Sequence, residues 1–307
     1  MVVWLNGKFV DRDEARISAF DAGFQHGVGL FETMAARHGR VFRVMDHLQR
    51  LATSASELRL AEGLRLEPLA DAVELTVARN ELSEARVRLT VTGGDLSMLG
   101  GTRAGPADPT IMVVAQPPTR YPSELFERGV RIRVADTRTN PFDRFAGHKT
   151  LWYWPRLAEL QSASAAGCAE SLFLTTSNHL ACGAVSNIFV VRGGELMTPI
   201  ARGEEKSGAL PSPVLPGITR AVVREIAGRM GIPCHVRTLA IDDALGADEI
   251  FLCNSSWGIM PVVGIEGATV GGGSPGSMTR TLREALSQAM DGETRDSAER
   301  LDGAVGS

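Results

Sequence analysis

The sequence predicts a two-domain protein of mixed α+β class, and three observations carry that expectation. The chain has 307 residues, more than the roughly 100–200 of a typical single domain. Alternating apolar stretches closed by turn dipeptides are interleaved with stretches whose apolar residues recur every three or four positions, the signatures of strands and amphipathic helices. Pro117, Pro118 and Pro122 punctuate the chain, which predicts a linker at 117–125 between an N-terminal domain, 1–116, and a larger C-terminal domain, 126–288. The polar tail, 289–307, is expected to be disordered.

In the first half, "VVWLNGKFV" alternates around Asn6-Gly7, the strongest short hairpin signal. A glycine-rich turn within "DAGFQHGVGLFETM" leads into another strand, and "RHGRV" reads as the next hairpin turn. Asp46 with Gln49 three residues on has the form of a capping box, ahead of a buried stripe of Leu48, Leu51, Ala52, Ala55 and Leu58. A helix over about 66–80 and strands "ARVRLTVT" and "TIMVVAQ" complete the unit. The second half opens with strand "VRIRVAD" and a polar loop reaching Lys149. Next comes a helix with Pro155 in its first turns, where proline is tolerated. Strand "ESLFLTT" precedes "SNIFVVRGGELMT", a hairpin turning on Gly193-Gly194. A proline- and glycine-rich insertion, 201–214, runs into "LPGITRAVVREIAGRM", a helix entered through Gly217, and strand "EIFLCN" meets a Ser-Ser turn before "IMPVVGI".

Composition excludes several classes of function. Thirty-two Lys and Arg against 36 Asp and Glu leave a net charge of −4, with no basic stripe to attract nucleic acid or an anionic membrane. No apolar run approaches the ~20 residues that span a bilayer. The first residues lack the basic and apolar regions of a signal peptide. The four cysteines, Cys168, Cys182, Cys234 and Cys253, form no C-x-x-C pair, which suits reduced thiols and gives no metal signature. These features predict a cytoplasmic protein acting on a small molecule.

The chemistry concentrates in "FAGHKTLWYWPRLAEL", residues 145–160, where Lys149 precedes Trp152, Tyr153 and Trp154. If the helix has begun, Trp152 and Tyr153 at i+3 and i+4 share its face. An ammonium among rings loses hydration, its pKa falls, and it becomes an amine nucleophile suited to a carbonyl partner. Otherwise it is a surface lysine with its stem on apolar groups. An anion cradle would complement it. "LPGITR" brings the amides of Ile218 and Thr219 to a helix N-terminus, with Gly217 allowing close approach. "CNSS" offers Ser255 and Ser256 after a strand, and Arg50 in "HLQRL" offers a guanidinium fork. Singly, each is as readily a cap or a solvated charge.

Taken in order, "WLNGKFV", "FDAGFQHGVGLFET", "HLQRL", "HKTLWY", "SNIFVV", "LPGITR" and "DEIFLCNSSWGIMPV" resemble the class IV aminotransferases over roughly residues 1–265. These are the fold type IV enzymes of pyridoxal 5'-phosphate (PLP), which include branched-chain and D-amino-acid aminotransferases and 4-amino-4-deoxychorismate lyase. The resemblance implies that Lys149 forms the internal aldimine and later shuttles the proton at the substrate carbon. It implies that Arg50, the amides of Ile218 and Thr219 after Gly217, and the Ser255/Ser256 turn hold the phosphate. Tyr153 would reach the phenolic oxygen, and Asn187 would sit beneath the ring. A homodimer with its active site at the domain junction is implied as well.

Two departures stand out. The family's strand before "SNIF" usually carries a glutamate that keeps the pyridine nitrogen protonated, and here "LACGAVSN" puts Cys182 at that position. A thiol is a weak partner, so the ring should be a poorer electron sink. Glu170, one strand earlier, matches a different and ordinary position. The loop after residue 92 holds Arg103 but lacks the arginine- and tyrosine-bearing pattern of the lyases, whereas "NSSWGIMPV" looks lyase-like. Arg88 matches a position near substrate in some aminotransferases. The expected activity is therefore amino transfer between a small amino acid and a 2-oxo acid. Pyruvate elimination from aminodeoxychorismate, giving 4-aminobenzoate, is the first alternative. A PLP- or metabolite-binding homologue that has drifted from catalysis is the second.

Overall fold

A computed structural model describes residues 1–95 and 108–305, side chains through 299. The chain divides into two compact units. The first takes in Met1–Thr119, Lys149–Tyr153 and Ala289–Ser307, and the second takes in Arg120–His148 and Trp154–Gln288. Lys149 and Tyr153 thus belong with the N-terminal residues, although the expected boundaries put them in the C-terminal domain.

The first unit contains β1 (Val2–Leu5), β2 (Lys8–Asp11), α1 (Ala22–His26), β3 (Gly29–Arg37), β4 (Arg40–Val41), α2 (Val44–Glu57), α3 (Leu66–Arg79), β5 (Ala85–Thr92) and β6 (Ile111–Gln116). Its strands form one sheet in the order β2-β1-β6-β5-β3-β4. Side chains alternate across β3, so Leu30, Met34 and Ala36 enter a core with Leu48, Leu51 and Ala55 of α2 and Val73 and Val77 of α3. Burying each large aliphatic side chain contributes about 1.5–3 kcal/mol. Asp46 is not the cap of α2. Arg43 is the N-cap, in the left-handed region at φ 54°, and caps with no side-chain hydrogen bond. Asp46 lies one turn in and pairs with Arg43 at 3.3 Å.

The second unit contains α4 (Glu124–Glu127), β7 (Val130–Thr139), α5 (Trp154–Ala165), β8 (Glu170–Thr175), β9 (Leu180–Gly183), β10 (Asn187–Arg192), β11 (Glu195–Thr198), α6 (Ile218–Arg229), β12 (Cys234–Val236), α7 (Ile241–Leu245), β13 (Glu249–Asn254), β14 (Gly258–Ile265), β15 (Ala268–Thr269) and the start of α8 (Ser277–Val305), a helix whose residues from Ala289 belong to the first unit. Its sheet is mixed, in the order β12-β11-β10-β13-β14-β7-β8-β9 with β15 on β14. Helix α6 packs on β13 and is fastened by Arg220, 2% exposed. That guanidinium donates to Thr198 Oγ1 (3.1 Å), to the Pro199 carbonyl (2.9 Å) and twice to Glu204 (2.8 and 2.7 Å). Glu204 lies in the 201–214 insertion, so that segment serves as a brace on α6. No helix among the described residues is long and apolar enough to cross a membrane.

The tail expected to be disordered is helical through Val305. Met290 (7% exposed) and Thr294 (1%) are buried, and Asp291 and Glu293 pair with Arg37 (3.0 Å) and Arg43 (2.9 Å). Exposed pairs of this kind are worth at most about 1 kcal/mol. Burial of Met290 contributes more, about 2 kcal/mol. Ending the chain at residue 288 should lower Tm by roughly 4–8 °C in a thermal melt; an unchanged Tm would show that the tail contributes nothing.

Candidate active site

Lys149 does not stand in a helix. Residues 149–151 run extended beside β3, along the flank that β5 does not occupy. Phe31 N donates to the Lys149 carbonyl (3.0 Å), and Leu151 N donates to the Gly29 carbonyl (2.8 Å). Helix α5 starts only at Trp154. Pro155 lacks an N–H and its ring would strike the carbonyl of residue 151, so the helix cannot extend back to the lysine. The expected sharing of a helical face by Trp152 and Tyr153 is therefore wrong. Trp152 is 63% exposed, while the lysine amine lies 4.4 Å from the centre of the Phe31 ring and 5.8 Å from that of Tyr153. The Tyr153 ring meets Phe31 edge-on at 5.3 Å.

Phe31 shares its sheet face with Thr33 and, across the ladder, with Arg88. Arg88 is not a solvent-facing strand arginine: its guanidinium carbon is 3.9 Å from the Phe31 centroid. Burial first, then the neighbouring Arg86, lowers its pKa, against the pull of Tyr153. One ring thus carries two cations, an electrostatic arrangement that an anionic ligand would relieve. Arg103 lies outside the described residues.

On the opposite face of β3, Glu32 is 1% exposed. It accepts from Arg50 Nε (2.9 Å) and Nη2, and its other neighbour is His47 Nδ1 at 2.8 Å. Burial alone would raise the Glu32 pKa, but the Arg50 charge and the His47 contact hold it down at about 2. Desolvation lowers His47 despite Glu32, with the Arg50 and Lys149 charges adding to the effect. The guanidinium fork expected for a ligand is thus spent on Glu32, and Arg50 can reach an anion only with its N–H groups outside that fork. Sequence reasoning passed over Glu32, Phe31 and the role of His47. A lone carboxylate in the apolar run "GLFETMAA" was the available signal.

In the second unit the other candidates gather around one turn, residues 184–187. Glu170 fastens it: this buried carboxylate accepts from the amides of Ser171 (3.1 Å), Ala184 (3.0 Å) and Val185 (3.3 Å) and from Ser186 Oγ (3.1 Å). Burial raises its pKa, with those donors pulling the other way. Gly183 is obligatory here, because a Cβ would fall 2.1 Å from Ser186 Oγ and 3.0 Å from Glu170 Oε2. The turn then holds two loops. Asn187 Nδ2 donates to the Leu215 carbonyl (2.9 Å), and Val185 accepts from Asn254 Nδ2 (3.1 Å). Gly217, at φ −68°, needs no unusual backbone; a Cβ there would sit 1.9 Å from Asn187 Oδ1.

Gly217 is the N-cap of α6 and has no side chain with which to close it; the amides of Ile218 and Thr219 lie at that helix N-terminus, the end that favours an anion. Asn254 Oδ1 accepts from Ser256 N (2.8 Å) and Trp257 N (3.0 Å). That fixes the second loop and leaves the Ser255 and Ser256 hydroxyls as its side-chain donors. Cys182 is 1% exposed, in an apolar cluster with Phe173, Ala181 and Ala184. Its sulfur lies 3.5 Å from Arg156 Nη1, a neighbour the sequence reading did not anticipate. Taken unit by unit, these donors are of the kinds that suit a phosphorylated carbonyl compound: an amine against ring faces and a guanidinium in the first unit, and a helix N-terminus and hydroxyls in the second.

Acid should loosen the first unit. Glu32 falls from an ordinary 4.5 to about 2 on folding, so the unfolded chain binds that proton more tightly. Its contribution is present above pH 4.5 and is lost as the pH falls toward 2. His47, lowered from 6.5, acts in the same direction. Glu32→Gln, which removes the buried carboxylate that Arg50 and His47 meet, should cost about 3–5 kcal/mol at pH 7 and flatten the acid limb of a urea-midpoint profile. An unflattened limb would place the acid sensitivity elsewhere.

The profile of the family described as amino-transferase class IV matches residues 29–265. A Methanocaldococcus jannaschii relative, provisionally named a branched-chain-amino-acid aminotransferase, is 34% identical over 285 residues, covering 92% of this chain and 94% of its own. The solved structure of the T.th. branched-chain amino acid aminotransferase with pyridoxamine 5'-phosphate has a TM-score of 0.85 at 27% identity, covering 95% of this chain and 94% of that one. The 4-amino-4-deoxychorismate lyase from Pseudomonas aeruginosa has a TM-score of 0.79 at 29% identity, covering 94% and 99%. A profile match across most of the chain, an archaeal relative above 30% identity and these shared architectures converge: the chain belongs to the class IV aminotransferases and is an enzyme of fold type IV.

Proposed function

We propose that this enzyme uses PLP to move an amino group between a small amino acid and a 2-oxo acid. The observation that carries the reading is Lys149, whose amine lies 4.4 Å from the Phe31 centroid on a segment held by main-chain hydrogen bonds. Bound PLP would supply an aldehyde for amine exchange and a conjugated ring that takes up negative charge from the substrate α-carbon. With PLP bound, Lys149 Nζ would take the aldehyde carbon with loss of water and, once displaced by the substrate amine, would carry the proton to and from the α-carbon. The amides of Ile218 and Thr219, the hydroxyls of Ser255 and Ser256 and the outer N–H groups of Arg50 would hold the phosphate. Tyr153 would donate to the phenolic oxygen, and Asn187 and Cys182 would serve the ring and its nitrogen. Arg88, with Arg103, would take the substrate carboxylate. The reading extends to a cytoplasmic homodimer, in keeping with four free thiols.

Pyruvate elimination from aminodeoxychorismate is the second reading, supported by the likeness to the Pseudomonas aeruginosa lyase. It needs the same lysine and differs in the fate of the charge, which expels a leaving group instead of being quenched at the cofactor carbon. Purified protein given an amino donor and a 2-oxo acid should form the new keto acid. Release of 4-aminobenzoate from aminodeoxychorismate, without amino transfer, would favour the lyase.

The purified protein should be yellow, be bleached by borohydride, and carry the reduced adduct on Lys149 by peptide mass; Lys149→Ala should lose activity by more than a thousandfold. A colourless protein in excess PLP would overturn the reading. Gly217→Ala, whose Cβ collides with Asn187, should weaken PLP binding at least tenfold in a titration of holoenzyme absorbance. Wild-type affinity would remove the α6 N-terminus from the phosphate site. Arg88→Met should raise KM for the 2-oxo acid roughly tenfold with kcat little changed, as loss of one charge-assisted contact predicts.

A further inference from the structure

Among the described residues, the Cys182 thiol makes no hydrogen bond to an acid; its polar contact is Arg156. Two buried carboxylates belong to the surrounding elements, and both are committed. Glu170 takes the three amides and one hydroxyl described above. Glu159 of α5 is 6% exposed and accepts from the amides of Asp136 (3.3 Å) and Thr137 (2.8 Å). Against the sulfur stands a cation: Arg156 Nη1 is 3.5 Å from Cys182 Sγ and donates to the carbonyls of Gly183 and Ala184, each at 3.2 Å. Its guanidinium carbon lies 5.3 Å from the Phe173 centroid, and Phe173 is paired with Cys182 across β8 and β9.

We infer that Arg156 is a positioning residue which, with Cys182, holds the ring nitrogen of the cofactor unprotonated, so that this enzyme works with a weakened electron sink. The inference rests on the reading above that Cys182 faces that nitrogen. A pyridinium is a cationic donor and needs an acceptor. Guanidinium has no acceptor capacity, and a thiol has a poor one. A second positive charge beside Arg156 in an apolar cluster is disfavoured both by repulsion and by desolvation. An unprotonated nitrogen avoids both costs. A carboxylate introduced at position 182 alone would be captured by Arg156 as an ion pair, so Cys182→Glu by itself should not restore a strong sink.

The experiment is nitrogen-15 NMR of holoenzyme reconstituted with PLP labelled at the ring nitrogen. The wild-type resonance should lie at the downfield position of free pyridine, and Arg156→Lys, which keeps the charge, should leave it there. In the double variant Cys182→Glu with Arg156→Gln it should move upfield to the pyridinium position, with α-proton exchange of the bound amino acid rising roughly tenfold. A pyridinium resonance in the wild type overturns the inference, and so does an unmoved resonance in a double variant that binds PLP. The wild-type measurement decides the matter even if the double variant does not fold. Wild-type protein that takes up no labelled PLP overturns the cofactor reading itself, a result distinct from either.

Discussion

The candidate chemistry depends on two main-chain hydrogen bonds that fasten residues 149–151 to the beginning of β3. They join segments more than a hundred residues apart and set the lysine backbone independently of its rotamer. Pro155 makes this possible by denying residues 149–153 a helical alternative. The amine then meets Phe31 and Tyr153 because strand alternation turns Phe31 to the face it shares with Arg88. Backbone register, not aromatic attraction, decides where the Lys149 backbone stands. A cation on an aromatic face is worth only about 0.5–2 kcal/mol and could not by itself order so long a connection.

Two buried carboxylates are kept in the molecule by opposite means. Glu32 is ionised, since Arg50 and His47 outweigh the penalty of burial and bring its pKa to about 2. Glu170 meets only neutral donors, and burial prevails, raising its pKa. The first consumes most of the Arg50 fork and keeps that guanidinium in one orientation. The second acts as a mechanical tie. Both are committed to structural partners.

Much of the fold was legible because its signals were local. The Asn6-Gly7 and Gly193-Gly194 hairpins and the strands at 85–92 and 249–254 fall where alternation and turn chemistry put them. So does the helix entered through Gly217. What escaped was nonlocal. The cap of α2 is a left-handed Arg43, which no composition rule favours. The helical tail looked disordered because its polar sequence hides the few buried positions, Met290 and Thr294, that hold it. Of the rings expected beside Lys149, Tyr153 lies 5.8 Å from the amine, but the nearer ring, Phe31 at 4.4 Å, comes from a distant strand. Arg156 lay unnoticed one turn into α5 because the thiol it faces belongs to β9.

The turn at 184–187 is suspended by contacts in which the Cys182 side chain has no share. Asn187 and the Val185 carbonyl hold the loops that present Ile218, Thr219, Ser255 and Ser256. The turn itself hangs from Glu170 and from the space that Gly183 leaves beside that carboxylate. Cys182 takes no part in this suspension: it packs in an apolar cluster against the Arg156 guanidinium. The side chain that joins the two regions is Arg156, whose Nη1 stands 3.5 Å from Cys182 Sγ and donates to the Gly183 and Ala184 carbonyls beside the turn; on the proposed reading Arg156, and not Cys182, couples the ring nitrogen to the phosphate loops.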